Sequence, residues 1–96
     1  MNVAGTILEQ LGGHRFQTMT GARDFVSDHH RLSFRVPRAK NGINHITIAL
    51  EESDTYTLTF ARLRGLTFTE VCKVSAIYVD RLRTVFTEYT GLRCSL

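Results

Sequence analysis

Polar and apolar residues alternate most strictly in the middle of the chain. Over residues 31–36, Leu32, Phe34 and Val36 share one phase, and Arg31, Ser33 and Arg35 share the other. Residues 44–50 repeat the pattern, with Ile46, Ile48 and Leu50 set against His45, Thr47 and Ala49. Residues 55–61 repeat it again, with Tyr56, Leu58 and Phe60 set against Thr57 and Thr59. Period-two alternation predicts three strands with one buried and one wet face, the mark of an antiparallel sheet. The connectors agree. Residues 37–42 read Pro-Arg-Ala-Lys-Asn-Gly, which is loop chemistry, and residues 51–54 read Glu-Glu-Ser-Asp, a polar hairpin turn.

The ends of the chain read as helices. Val3, Ile7, Leu8 and Leu11 recur at helical spacing, so residues 3–11 are expected to form a short amphipathic helix. Asn2 is placed to cap its start and Gly12-Gly13 to stop it. Residues 14–19 alternate weakly and are expected to form a first strand, broken by Thr20-Gly21. Residues 22–30 read as an irregular loop, pinned to the core by Phe25 and Val26. The segment 66–74 is ambiguous. Thr67, Phe68, Thr69, Val71 and Val74 favour a strand, while Phe68, Val71, Ser75 and Tyr78 also fit a helix. The strand is the preferred reading, with Ser75 capping a helix over 76–90. The stripe of that helix is Tyr78, Leu82, Val85, Phe86 and Tyr89, with Gly91 as its C-cap and Leu92 closing it.

The expected fold is a single α+β domain over residues 1–96. An antiparallel sheet of four to five strands carries an N-terminal and a C-terminal helix packed on one face. The expected core includes Leu32, Phe34, Ile46, Ile48, Leu58, Phe60, Leu82 and Phe86. The outer face is expected to carry Arg31, Ser33, Arg35, His45, Thr47, Thr57 and Thr59.

Composition narrows the function classes. Hydrophobic residues make up 43% and charged residues 22% of the 96, which is globular rather than disordered composition. The apolar runs fall far short of the ~20 residues a membrane helix needs. The opening MNVAGTILEQLGG lacks a basic stretch and carries Glu9, so it does not read as a secretory signal. Cys72 and Cys94 match no disulfide framework or zinc spacing, which points to a reducing compartment.

No catalytic constellation emerges. Asp28-His29-His30 shares its letters with the Asp-His-His phosphoesterases, but those need further acidic motifs on a longer chain. An HNH nuclease needs its last metal ligand on a helix after a hairpin, whereas Asn44-His45 opens an alternating strand. Adjacent strand residues point to opposite faces, so one ion does not easily take both His29 and His30. Chelation is therefore expected to leave the melting temperature unchanged. Only Lys73 stands near Cys72 to lower its thiol pKa, and no oxyanion-hole glycines accompany it. Glu51, Glu52 and Asp54 crowd a turn rather than a cleft. No phosphate-binding glycine loop, nucleophile elbow or zincin helix is present. The chain is expected to be no enzyme and to carry no cofactor and no metal.

Charge adds one positive suggestion. Twelve Lys and Arg against nine Asp and Glu leave +3, too small an excess to define a nucleic-acid binder without knowing where the cations lie. If the three clear strands form a meander, Arg62 and Arg64 return beside Arg38 and Lys40 at one end. Glu51, Glu52 and Asp54 then share the opposite end, with Asp28 close by. On the outer face, Arg31, Arg35 and His45 form a second cationic group. These seven basic residues are the candidate partner-binding set. RNA-binding sheets add exposed aromatics to such a face, but Phe34, Tyr56 and Phe60 alternate onto the buried one.

Several stretches resemble a family of small uncharacterised proteins from bacteriophages and other bacterial mobile elements. They are Ile7-Leu8-Glu9-Gln10-Leu11-Gly12-Gly13, Met19-Thr20-Gly21-Ala22-Arg23-Asp24-Phe25, Leu32-Ser33-Phe34-Arg35-Val36-Pro37 and Ile43-Asn44-His45-Ile46. The last are Tyr78-Val79-Asp80-Arg81-Leu82 and Phe86-Thr87-Glu88-Tyr89-Thr90-Gly91-Leu92. The resemblance spans most of the chain and transfers no functional residues. It implies the bacterial cytoplasm and an accessory role: binding a host or mobile-element protein, as host-takeover and anti-defence factors do. A weak nucleic-acid-binding module, using the cationic sheet face and loop end, is the alternative expectation. A structural component of a phage particle is the third.

Overall fold

The computed structural model describes residues 3–37 and 39–92. The expected cap Asn2, the candidate cation Arg38 and the thiol of Cys94 lie outside these residues. The chain begins with two helices, α1 (Val3–Leu11) and α2 (Gly13–Thr20). Five strands follow: β1 (Arg23–Ser27), β2 (Arg31–Arg35), β3 (His45–Leu50), β4 (Tyr56–Arg64) and β5 (Thr67–Ile77). A third helix, α3 (Leu82–Thr90), follows β5. The strands make one antiparallel sheet in the order β1-β2-β3-β4-β5, each paired with its neighbour in sequence. The fold is α+β, as the patterning predicts.

The meander register follows directly from the alternation. Phe34 lies opposite Ile46 and Ile46 opposite Phe60, while Leu32, Ile48 and Leu58 make the next apolar row. All eight expected core residues are buried, and Ile7, Leu11, Phe16 and Val85 from the helices join the same cluster. Three helices thus cover one face of the sheet. Burial of the apolar stripe stabilises α1 and α3, each only nine residues long.

Five local expectations are corrected. Residues 14–19 belong to α2 and not to a strand. Gly12, at φ 129°, redirects the chain, and helical turns resume at once. Phe16 and Thr20 are both buried, four residues apart on one helical face. The first strand lies instead at β1, inside the stretch expected to be loop. A register shift between Arg23 and Val26, with Asp24 at φ 57°, breaks the alternation that would have revealed it. Phe25 packs on Phe34 at 5.5 Å between ring centroids, but Val26 is exposed and anchors nothing.

At the other end, residues 66–74 are strand as preferred. The strand then continues to Ile77, which pairs with Tyr56. Ser75 is therefore not a helix cap, and Tyr78 is exposed rather than part of a buried stripe. Cross-strand pairing with β4 outweighs helical spacing as far as Ile77, and a 3-10 turn over Val79–Arg81 then leads into α3. The helix itself ends as expected, with Gly91 at φ 77° and its N–H donating to the Thr87 carbonyl.

Candidate functional site

The face of the sheet opposite the helices carries the polar phase of the strands. Its rows run straight across the pairing. Arg35 lies opposite His45, and His45 opposite Ala61. Ser33, Thr47, Thr59 and Lys73 make a second row, in which the Ser33 and Thr47 hydroxyls are hydrogen-bonded at 3.3 Å. Arg31, Ala49 and Thr57 make a third. All seven residues expected on the outer face share this phase.

The two arginines of β2 each have an acidic neighbour from the β1 side. Arg31 lies 3.5 Å from the Asp28 carboxylate, and Arg35 lies 4.0 Å from Asp24. The His29 backbone N–H donates to Asp28 at 2.7 Å. That hydrogen bond, aided by the Arg31 charge, holds the carboxyl below its ordinary range. His45 meets the ring of Phe68 edge-on at 5.4 Å. Burial, and secondarily the charge of Arg35, lowers the His45 pKa below 6.5. Its Nδ1 is buried and has no hydrogen-bond partner among the described residues.

The sheet has two ends of opposite charge. Glu51, Glu52 and Asp54 are exposed between β3 and β4. Because Arg31 pairs with Ala49, the Asp28-His29-His30 turn lies at the same end, where the His30 carbonyl accepts a hydrogen bond from Leu50 N–H at 2.7 Å. His30, Glu51 and Glu52 line a shallow depression there. Among the described residues, no group of three or more His, Cys, Asp and Glu is placed to hold a metal ion.

The opposite end holds Lys40, Arg62 and Arg64. Arg62 lies against the β2–β3 connection, so close that a Cβ on Gly42 would meet its Cδ at 3.0 Å. Asn44 reinforces this end. Its side chain donates to the Leu63 carbonyl at 2.9 Å and accepts from Leu63 N–H at 2.7 Å, continuing the β3 edge by one rung. Apart from this Asn44 contact, residues 62–64 have no β3 partner and pair as strand with residues 67–69, forming the end of the β4–β5 hairpin. Arg64 stands at its tip, beside the two-residue turn Gly65-Leu66. Lys40 is engaged elsewhere. Its ammonium donates to the Glu88 carbonyl at 3.0 Å and its stem packs over Gly91. It therefore caps α3.

Sequence reasoning did not place Phe68, Glu70 and Lys73 on this face. A bulge in β5 between Glu70 and Cys72 resets the alternation there, so no simple period identifies them. Among the described residues, no helix is long and apolar enough to cross a membrane. No family model, curated protein or solved structure matches the chain.

Proposed function

We propose that this protein acts without catalysis, as a binding protein whose cationic sheet end engages an acidic surface on a protein partner. The supporting observation is the charge separation along the strands. Arg62 and Arg64 stand at one end, and Glu51, Glu52, Asp54 and Asp28 at the other. Such a field orients an approaching partner and raises the association rate more than it fixes affinity. The resemblance to mobile-element proteins gives the setting: the cytoplasm of a bacterial host, with a host or element protein as partner, in host takeover or anti-defence.

The second reading, a weak nucleic-acid module, draws support from Phe68. It is an exposed aromatic beside His45, with Arg35 opposite His45 on the adjoining strand, where a base could stack.

The test is charge reversal at Arg38, Arg62 and Arg64 to Glu, leaving Lys40 to hold α3. The tagged protein is used to capture partners from bacterial lysate, and association with the captured partner is then timed at low and high salt. Reversal is expected to preserve the fold and slow association, most at low salt. Unchanged association, with binding lost instead on substitution of exposed helix residues, rejects the cationic end. Parallel titration with duplex and single-stranded DNA at the same two salts decides the second reading, since phosphate binding weakens steeply with salt.

A further inference from the structure

The two edges of the sheet are built differently. β1 is five residues long, and a register shift with Asp24 in the left-handed region leaves only Arg23, Val26 and Ser27 in register with β2, too short a run to template further pairing. β5 is eleven residues long, contains no proline and pairs on one side only; its irregularities are the bulge at Val71 and a second beside Ala76, at φ 58°, so Thr67–Glu70 and Cys72–Val74 keep regular pairing with β4. Its outer edge therefore presents backbone donors and acceptors that an added strand would satisfy.

The side chains along β5 are arranged head to tail. Five large hydrophobic residues are exposed among the described residues, and four of them flank this strand. Leu66 and Phe68 are at its start, 104% and 52% exposed, and Tyr78 and Val79 follow its end, 63% and 51% exposed. In the middle stand Glu70 and Lys73, which take part in neither of the two ion pairs found among the described residues. Glu70 pairs with Ala61 and Lys73 with Thr59, so the bulge at Val71 leaves both on the open face, although they are three positions apart.

From this arrangement we infer that β5 pairs antiparallel with β5 of a second copy about a two-fold axis between Val71 and Cys72, joining two sheets into one of ten strands. Antiparallel self-pairing about that axis places Glu70 opposite Lys73 of the other copy, twice. It also sets Phe68 opposite Ser75 and Thr69 opposite Val74. A two-fold perpendicular to the sheet requires paired residues to share a face. The bulge meets that requirement, because Phe68, Glu70, Lys73 and Ser75 lie on the open side and Thr69 and Val74 on the helix side. The same axis lays Leu66 and Phe68 of each copy beside the region of Ile77, Tyr78 and Val79 of the other. It thus covers the exposed apolar groups at both ends of the strand. A peptide from another protein would also find the backbone edge, but a second copy brings with it the reversed order of apolar, acidic, basic and apolar groups that this strand complements.

Sedimentation of the full chain over ~1–500 µM tests this, because dimer content must follow mass action. A dimer is expected in the upper part of that range. Glu70→Lys and Lys73→Glu should each weaken it about tenfold, since each change sets like charges opposite one another twice. The double exchange Glu70→Lys/Lys73→Glu should restore wild-type association. Both residues are exposed, and circular dichroism checks that each variant keeps the fold. A chain that stays monomeric throughout overturns the inference, including one that instead takes up an extended partner segment. A dimer indifferent to the single exchanges, or not recovered by the double, also overturns it.

Discussion

Phe16 and Phe86 meet edge-on with ring centroids 5.2 Å apart, and each stands four residues before a threonine that closes its helix in the same way. Thr20 donates to the Phe16 carbonyl at 2.7 Å and accepts from Ala22 N–H at 3.2 Å. Thr90 donates to the Phe86 carbonyl at 2.7 Å and accepts from Leu92 N–H at 3.1 Å. The intervening Gly21 and Gly91 take the left-handed conformation, at φ 72° and φ 77°. Two helices from opposite ends of the chain thus dock through one repeated ending, Phe followed by Thr-Gly.

Thr20→Val and Thr90→Val keep the side-chain shape but leave the following buried or half-buried N–H without its acceptor. Each is expected to cost about 1–2 kcal/mol, measured by urea unfolding. A cost in one helix and none in the other would show that the two endings are not equivalent.

Phe34 is fully buried and makes ring contacts with Phe16, Phe25 and Phe86. Phe34→Ala should destabilise by about 3–5 kcal/mol in denaturant titration. Phe60→Ala should fall in the same ~3–5 kcal/mol range, since it is equally buried and stacks on Tyr89 at 5.3 Å.

Lys40→Ala removes the hydrogen bond to the Glu88 carbonyl and a positive charge from the end of α3. A loss of ~0.3–1 kcal/mol is expected, shrinking as salt rises. Gly91→Ala should cost more, about 1–2 kcal/mol, because an L residue is strained at φ 77° and its Cβ would press on the Lys40 stem. Thermal melts of both variants and of their combination would show whether the two effects are coupled.

His45 gives stability a pH dependence of defined sign. Its folded-state pKa lies below 6.5, so as pH falls the unfolded chain takes up the proton first. Its contribution is complete above pH 6.5 and declines as pH falls from there towards the folded value. Thermal midpoints measured from pH ~8 to ~5 should drop less steeply for His45→Gln than for wild type. A steeper fall in the variant would contradict this role for His45.

Much of the candidate surface was legible from residues alone. Arg31, Arg35 and His45 occupy the wet phase of strict alternations, and a meander follows from short polar connectors, so Arg62 had to return to the end that holds Lys40. The capping role of Lys40 was not legible, because its partner Glu88 lies 48 positions away on a helix that docks only in the folded chain. Glu70, Lys73 and Phe68 were hidden by a bulge, where one extra residue exchanges the faces of all that follow.

Local chemistry determined the elements whose pattern is long and unbroken: β2, β3, β4, α1, the body of α3 and its glycine stop. Those segments bury one face whatever their neighbours do, and the period records which face. Tertiary structure decided the rest. Residues 14–19 carry too few apolar positions to fix a period, and as helix they bury Phe16 against Phe34 and Phe86. Residues 75–77 remained strand because Tyr56 was there to pair with Ile77. In both places the deciding partner is distant in sequence, so the free energy that selects the conformation exists only after the sheet has formed.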